Sequence, residues 1–341
     1  MRGLSFASLF VLLLAGVTVP ARAPARAQDG PRIVVTIGPV HSLVAGVTQG
    51  VVEPQLIMQG AASPHAFAMR PSQAKALERA DVIVRVGETL ETSLDRPIEA
   101  LGKSARLVTL DGIEGMTLLP AREGGVWESH DHAEAAQGHE HEGHDVDQAK
   151  AEAKHDDHGH AETHGRHEGT HNPHLWLDPK NAIVAVDHIA QVLSETDPGN
   201  AAQYQANAGR LTAKLADLDS ELAAQTKPLR AKPYLVFHDA YPYFENRYRL
   251  VPAGAITVSP ERQPGAKRIG EIRAKVRDLG AVCVFSEPQF KPKLIDTIIE
   301  GTDSRSGVLD PLGANLEPGP DLYFALMRNM AQALKSCLEA P

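Results

Sequence analysis

Pro31-Arg32-Ile33-Val34-Val35-Thr36-Ile37, closed by Gly38-Pro39, reads as a short buried strand leading into a helix, Val40 to Gln49. Asp81-Val82-Ile83-Val84-Arg85-Val86-Gly87 repeats the strand pattern. Between them lie an interrupted strand, Val51 to Met58, and a helix opened by Pro71-Ser72 that runs through Arg79. Thr92 to Leu101 then reads as a helix and Ala105 to Leu110 as a fourth strand. Short apolar runs alternating with helices are the signature of a parallel α/β sheet.

The alternation returns near the C-terminal end. Tyr234-Leu235-Val236-Phe237 is a strand, followed by helix over Ala240 to Tyr248 and again over Pro264 to Leu279, where Gly280 stops it. Ala281 to Phe285 is a strand, Lys291 to Glu300 a helix, Gly307 to Leu309 a short strand, and Pro320 to Leu338 the last helix. The stretch between the halves is helical. Pro179 to Glu195 is one helix, Thr196-Asp197-Pro198 a break with Asp197 as N-cap, and the next helix runs to about Lys227, stopped by Pro228. Tyr204, Ala208, Leu211, Leu215, Leu218 and Leu222 recur at spacings of four and three, which makes one apolar stripe. At 1.5 Å per residue that helix is roughly 44 Å long, enough to pass along two domains. The expected fold class is α/β, with two mainly parallel lobes flanked by helices and joined by one long helix.

Residues 1–27 read as an export signal: Arg2, then the apolar run Leu4 to Val19, then two small-x-small sites ending at Ala23 and Ala27. The cut is expected near Ala27, and the mature protein is expected in a periplasm. The domain division that follows is 28–178 for the first lobe, 179–230 for the connecting helices and 231–341 for the second lobe. The two cysteines, Cys283 and Cys337, would be free thiols in a cytosolic protein; in an oxidising compartment such a pair forms a disulfide.

An insertion at about 121–172 breaks the first lobe from the connecting helices. It holds eleven of the 16 histidines: His130, His132, His139, His141, His144, His155, His158, His160, His164, His167 and His171. With almost no apolar content it cannot fold alone, so it is expected to be disordered. Imidazole is the commonest metal ligand, and these histidines are expected to form weak secondary metal sites beside a folded one. Of the charge of −12 left after removal of the leader's three arginines, −9 lies in this segment, from 13 acids and four basic residues. The rest is only mildly acidic, which argues against a nucleic-acid partner and for attraction of cations to one segment.

Three histidines outside the tract share a setting. His65 follows a strand in Ser63-Pro64-His65, His238 ends the strand Val236-Phe237, and His174 opens His174-Leu175-Trp176-Leu177-Asp178-Pro179. Ligands gather beyond the carboxyl ends of parallel strands, which is where His65 and His238 fall. His41 and His188 lie in helical patterns and read as ordinary satisfied or solvated side chains.

The chain resembles the zinc-binding solute receptors of bacterial ABC uptake systems, the ZnuA type, over nearly all of its mature length. The segments that carry the resemblance are Ser63-Pro64-His65 with Met69-Arg70-Pro71-Ser72, His174 to Pro179, Phe237-His238-Asp239-Ala240-Tyr241, Phe285-Ser286-Glu287-Pro288-Gln289-Phe290 and Leu309-Asp310-Pro311-Leu312-Gly313. The resemblance implies that His65, His174 and His238 bind Zn2+ in a cleft between lobes joined by a long rigid helix. It also implies a Cys283–Cys337 bridge, and delivery of the ion by a monomer to an inner-membrane permease with its cytoplasmic ATPase. Some relatives carry Glu immediately before the first histidine. Here that residue is Pro64, and Asp310 is expected as fourth ligand, with water or a tract histidine as the alternatives. A manganese or iron receptor would use more carboxylate. A zinc metallohydrolase would also use three histidines, but His-Glu-x-x-His is absent and no motif places a general base. A zinc buffer or adhesin is a third reading; no enzyme is expected.

Overall fold

The computed structural model describes residues 30–122, 171–257, 265–290 and 293–340. The leader at 1–27 and the histidines from His130 to His167 lie outside them.

The first lobe runs β1 (Ile33–Val35), α1 (Gly38–Val47), β2 (Gln55–Leu56), α2 (Pro71–Arg79), β3 (Val82–Arg85), α3 (Asp95–Leu101) and β4 (Arg106–Thr109). Two helices follow, α4 (Pro179–Thr196) and α5 (Ala201–Thr226). The second lobe runs β5 (Tyr234–His238), α6 (Pro242–Tyr248), β6 (Gly254–Thr257), α7 (Ala266–Asp278), β7 (Cys283–Ser286), α8 (Lys293–Ile299) and β8 (Arg305–Val308), and α9 (Leu322–Leu338) closes the chain. Both sheets are four-stranded and parallel throughout, in the orders β2-β1-β3-β4 and β6-β5-β7-β8. The expected α/β class of two lobes and a long helix holds. Strand order reverses beside β1 in one sheet and beside β5 in the other, so each lobe has a switch point at the carboxyl ends of its central strands.

The 26 residues of α5 span about 39 Å. The helix starts later than the sequence suggests. A single 3₁₀ turn, Pro198–Asn200, intervenes, and the Asp197 carboxylate accepts from Asn200 Nδ2 and Tyr204 Oη rather than from the helix backbone. Tyr204, Ala208, Leu211, Leu215, Leu218 and Leu222 are all buried, as the stripe requires. Burying each large apolar side chain contributes roughly 1.5–3 kcal/mol, so Leu215→Ala, at a fully buried position, is a change expected to cost about 2–5 kcal/mol. Gly46 of α1 lets α5 approach closely: a Cβ there would sit 2.7 Å from Leu211 Cδ2. Asn207 of α5 donates to the carbonyls of Val47 and Gln49, which the end of α1 leaves unpaired.

α9 packs on α1, α5 and β8, so the last helix runs back along the spine and touches both lobes. Cys283 of β7 is disulfide-bonded to Cys337 of α9, as expected for an exported pair. One strand was not anticipated. β6 is four residues long and preceded by Pro252, and its first residue is Gly254, so breakers hide it in the sequence; pairing with β5 makes it.

The β5 alternation sets up the site. Tyr234 and Val236 join the core shared with the spine helices, while Leu235 and Phe237 join a separate cluster with Ile272 and Val276 of α7 and Ile295 and Ile298 of α8. A period of two places His238 on the Tyr234 side, toward the first lobe.

Candidate metal centre

Four loops meet between the lobes. Ser63-Pro64-His65 follows β2, His238 ends β5, Glu287 lies just past β7, and Pro311 follows β8. The fifth contributor, His174, precedes a 3₁₀ turn, Leu175–Leu177, whose three residues are buried. Trp176 locks that turn in place: its Nε1 donates to Pro311 O at 2.9 Å, and Tyr323 Oη of α9 donates to its carbonyl at 2.8 Å.

His65, His174 and His238 each offer a nitrogen, and the three nitrogens lie within 4.8 Å of one another; among the described residues no other group of histidine, cysteine or acid converges in this way. His174 and His238 are buried, and His65 is partly exposed with its Nε2 buried and unpartnered.

Hydrogen bonds settle which nitrogens face inward. Asn172 Oδ1 accepts from the His174 backbone N–H and lies 3.0 Å from His174 Nδ1, while Asn172 Nδ2 donates to the Asp239 carbonyl. The amide therefore presents oxygen to the ring, and His174 Nδ1 carries the proton. Glu287 Oε1 lies 2.6 Å from His238 Nδ1, so that nitrogen is protonated too. In neutral rings both Nε2 atoms then carry lone pairs, and these face each other at 3.2 Å. Two lone pairs this close repel unless a cation or a proton lies between them. A tetrahedral ion with ~2.0 Å bonds holds two ligand nitrogens about 3.3 Å apart.

Burial favours the neutral rings that a metal needs. It pushes His65 down to about 3, with the neighbouring His238 adding to the effect. His174 is held well below the usual histidine range, by burial first and then by His238 and His65. The cavity beside the rings is small. The centre of a water-sized sphere sweeps only about 10 Å³ in it, room for roughly one water. A larger, open groove of about 560 Å³ lies elsewhere, between α1, β2 and Pro318–Pro320.

Two expected ligands are placed differently. Asp310 is not in the cluster. Its Oδ1 accepts from Leu312 N and Gly313 N at 3.0 Å and from Gln289 Nε2 at 3.2 Å, and its Oδ2 accepts from Ala314 N at 2.6 Å. The turn after Pro311 points three N–H groups at this carboxylate and satisfies it there, with Gly313 supplying the positive φ of +73°. His171 is not part of a loose tract. Its backbone bridges to Pro120 and its Nε2 lies 3.4 Å from Asp111 Oδ2. Arg122, just before the undescribed stretch, pairs with Glu245 and lies 3.6 Å from Asp239, so both stems of the insertion are seated beside the site.

Sequence reasoning gave Asn172, Glu287 and Gln289 no part in orienting the histidines, although Glu287 and Gln289 lie in a segment that carries the family resemblance. Asn172 had a local signal, because an Asn two residues before a histidine can accept that residue's N–H. Glu287 had none, since it meets His238 only through the pairing of β5 with β7. His41 is an ordinary buried histidine, with Nε2 2.9 Å from the Pro54 carbonyl.

Two parallel α/β lobes, a long connecting helix and a histidine cluster between the lobes define the architecture of a metal-binding solute receptor. Comparison with known proteins agrees. The family model "Zinc-uptake complex component A periplasmic" matches residues 33–337. The high-affinity zinc uptake system protein ZnuA of Brucella abortus is 50% identical over 306 residues, covering 90% of this chain and 91% of that one. The ZnuA of Paracoccus denitrificans is 41% identical, covering 96% and 98%. A crystal structure of ZnuA superposes with a TM-score of 0.70 at 24% identity, covering 91% of this chain and all of that one. The chain belongs to the ZnuA family.

Proposed function

We propose that this protein captures Zn2+ in the periplasm and delivers it to an ABC-type permease of the inner membrane, itself driven by a cytoplasmic ATPase. His65, His174 and His238 are the ligands in this reading. In it, residues 28–178 and 231–341 form the two jaws, residues 179–230 the spine, and the protein acts as a monomer exported by cleavage near Ala27. The observation that carries the reading is the pair of facing Nε2 lone pairs 3.2 Å apart, each fixed by an acceptor on the far side of its ring.

Three imidazoles with no carboxylate among them suit zinc better than manganese or iron. A catalytic zinc keeps an open position large enough for substrate, whereas this cavity has room for about one water; that supports a carrier over a metallohydrolase. A buffer or adhesin would bind zinc equally well, and permease-dependent uptake separates those readings from this one. The remaining tract histidines serve as weaker zinc sites in this account. Metal analysis and zinc titration of the mature protein, with and without residues 128–170, test it. One tight site should persist after the deletion; its loss would defeat the cleft assignment.

A further inference from the structure

With Asp310 satisfied by its own turn, the fourth position of the site needs another account. Gln289 lines the same small cavity as His65, His174 and His238. Its Oε1 is buried and has no hydrogen-bond partner, as is true of His65 Nε2 in the same cavity. A buried carbonyl-type oxygen left unpaired is costly, and folded proteins rarely tolerate one without a use for it. The orientation of the amide is not arbitrary. Gln289 Nε2 donates to Asp310 Oδ1 at 3.2 Å. Flipping the amide would set its oxygen against a carboxylate oxygen, so the oxygen is held away from Asp310. The Asp310 carboxylate is itself fixed by the N–H groups of Leu312, Gly313 and Ala314.

We propose that Gln289 is the positioning residue of the fourth coordination site: its amide oxygen, aimed by Asp310, accepts a hydrogen bond from a water that completes the tetrahedron on the ion. A zinc ion held by three imidazoles needs one more ligand. The cavity admits roughly one water, and no acidic, histidine or cysteine side chain among the described residues joins the three rings. A metal-bound water is a strong donor and needs an acceptor nearby. Gln289 Oε1 is such an acceptor, and it is neutral. Asp310 thus serves the metal through Gln289 and not by binding it.

The inference rests on His65, His174 and His238 being the ligands. The experiment is zinc affinity by chelator competition, together with the cobalt d–d absorption spectrum, for the mature protein and its Gln289→Leu, Gln289→Met, Asp310→Asn and His174→Ala variants. Gln289→Leu should weaken zinc roughly tenfold, within the range for groups that orient metal ligands, and should alter the cobalt spectrum. Asp310→Asn should do the same in part, and the Asp310→Asn/Gln289→Leu double variant should fall no further than Gln289→Leu alone. If Gln289→Leu fails to fold, Gln289→Met decides; it keeps the length, and its thioether is a poor acceptor. Affinity within twofold of the parent and an unchanged cobalt spectrum in a folded variant would overturn the proposal. So would additive losses in the double variant, which would make Asp310 act on its own. His174→Ala reports separately: tight zinc retained there would bring down the ligand assignment, whatever Gln289 does.

Discussion

His174 Nε2 and His238 Nε2 lie 3.2 Å apart, while the Nδ1 atoms of the same two rings rest on Asn172 Oδ1 at 3.0 Å and Glu287 Oε1 at 2.6 Å. The far-side acceptors fix the tautomers, and the tautomers turn two lone pairs toward one point. The two rings are therefore preorganised by residues outside the histidine cluster.

Removing a ligand should be the most damaging change. His65→Ala, His174→Ala and His238→Ala should each lower zinc affinity by at least about 100-fold, more than the 10–100-fold usual for groups that only orient a ligand. Chelator competition measures this. A variant that stays within tenfold of the parent would remove that histidine from the set.

Glu287→Gln keeps the shape but gives His238 an uncharged acceptor. A carboxylate behind a ligand imidazole raises its basicity and offsets part of the ion's charge. Zinc affinity should fall about 10–100-fold, with little change in the stability of the zinc-free protein. Unchanged affinity would mean that the 2.6 Å contact is structural only.

Acid should destabilise the zinc-free protein through the buried rings. His174 is held well below, and His65 down to about 3 against, the ordinary value near 6.5. Below about pH 6.5 the unfolded chain takes up protons that the folded chain refuses, so stability declines as pH drops from 6.5 toward 3. Thermal melts at pH 7.5, 6.0 and 5.0 should show this decline. His174→Asn should make it shallower; an equal slope in that variant would deny His174 a part in it.

Cys283 and Cys337 should contain no free thiol in exported protein. Their bridge closes a sequence separation of 54 residues and ties α9 to β7. Chain entropy puts the stabilisation at roughly 4 kcal/mol as an upper figure. Denaturant melts with and without reductant should show the difference. Because α9 also lies on α1 and α5, reduction should loosen the contact between lobes as well as the second lobe. Coincident melts would show that packing of α9 suffices alone.

Much of the fold was legible because its central strands are runs of β-branched residues at the sheet centres, as in Ile33-Val34-Val35 and Val82-Ile83-Val84. The α2 ends were readable from Pro71, and Arg70 N donates to Gln73 Oε1 at the same boundary. The positions of His65 and His238 followed from strand ends. What stayed hidden depends on contacts between segments distant in sequence. Glu287 meets His238 across 49 residues, and Gln289 meets Asp310 across 21. The hydrogen bonds of Asp310 were hidden as well, because the three N–H groups that meet its carboxylate follow Pro311, in a turn whose direction the sequence does not state.

The proposed site is three neutral imidazoles on one zinc ion. It is tested by the X-ray absorption spectrum at the zinc edge of loaded protein lacking residues 128–170, in which the histidines from His130 to His167 cannot contribute ligands. Four light-atom neighbours are expected at about 2.0–2.1 Å, with outer-shell scattering that requires three imidazole rings. Two or fewer imidazoles, or a six-coordinate shell dominated by oxygen, would contradict it.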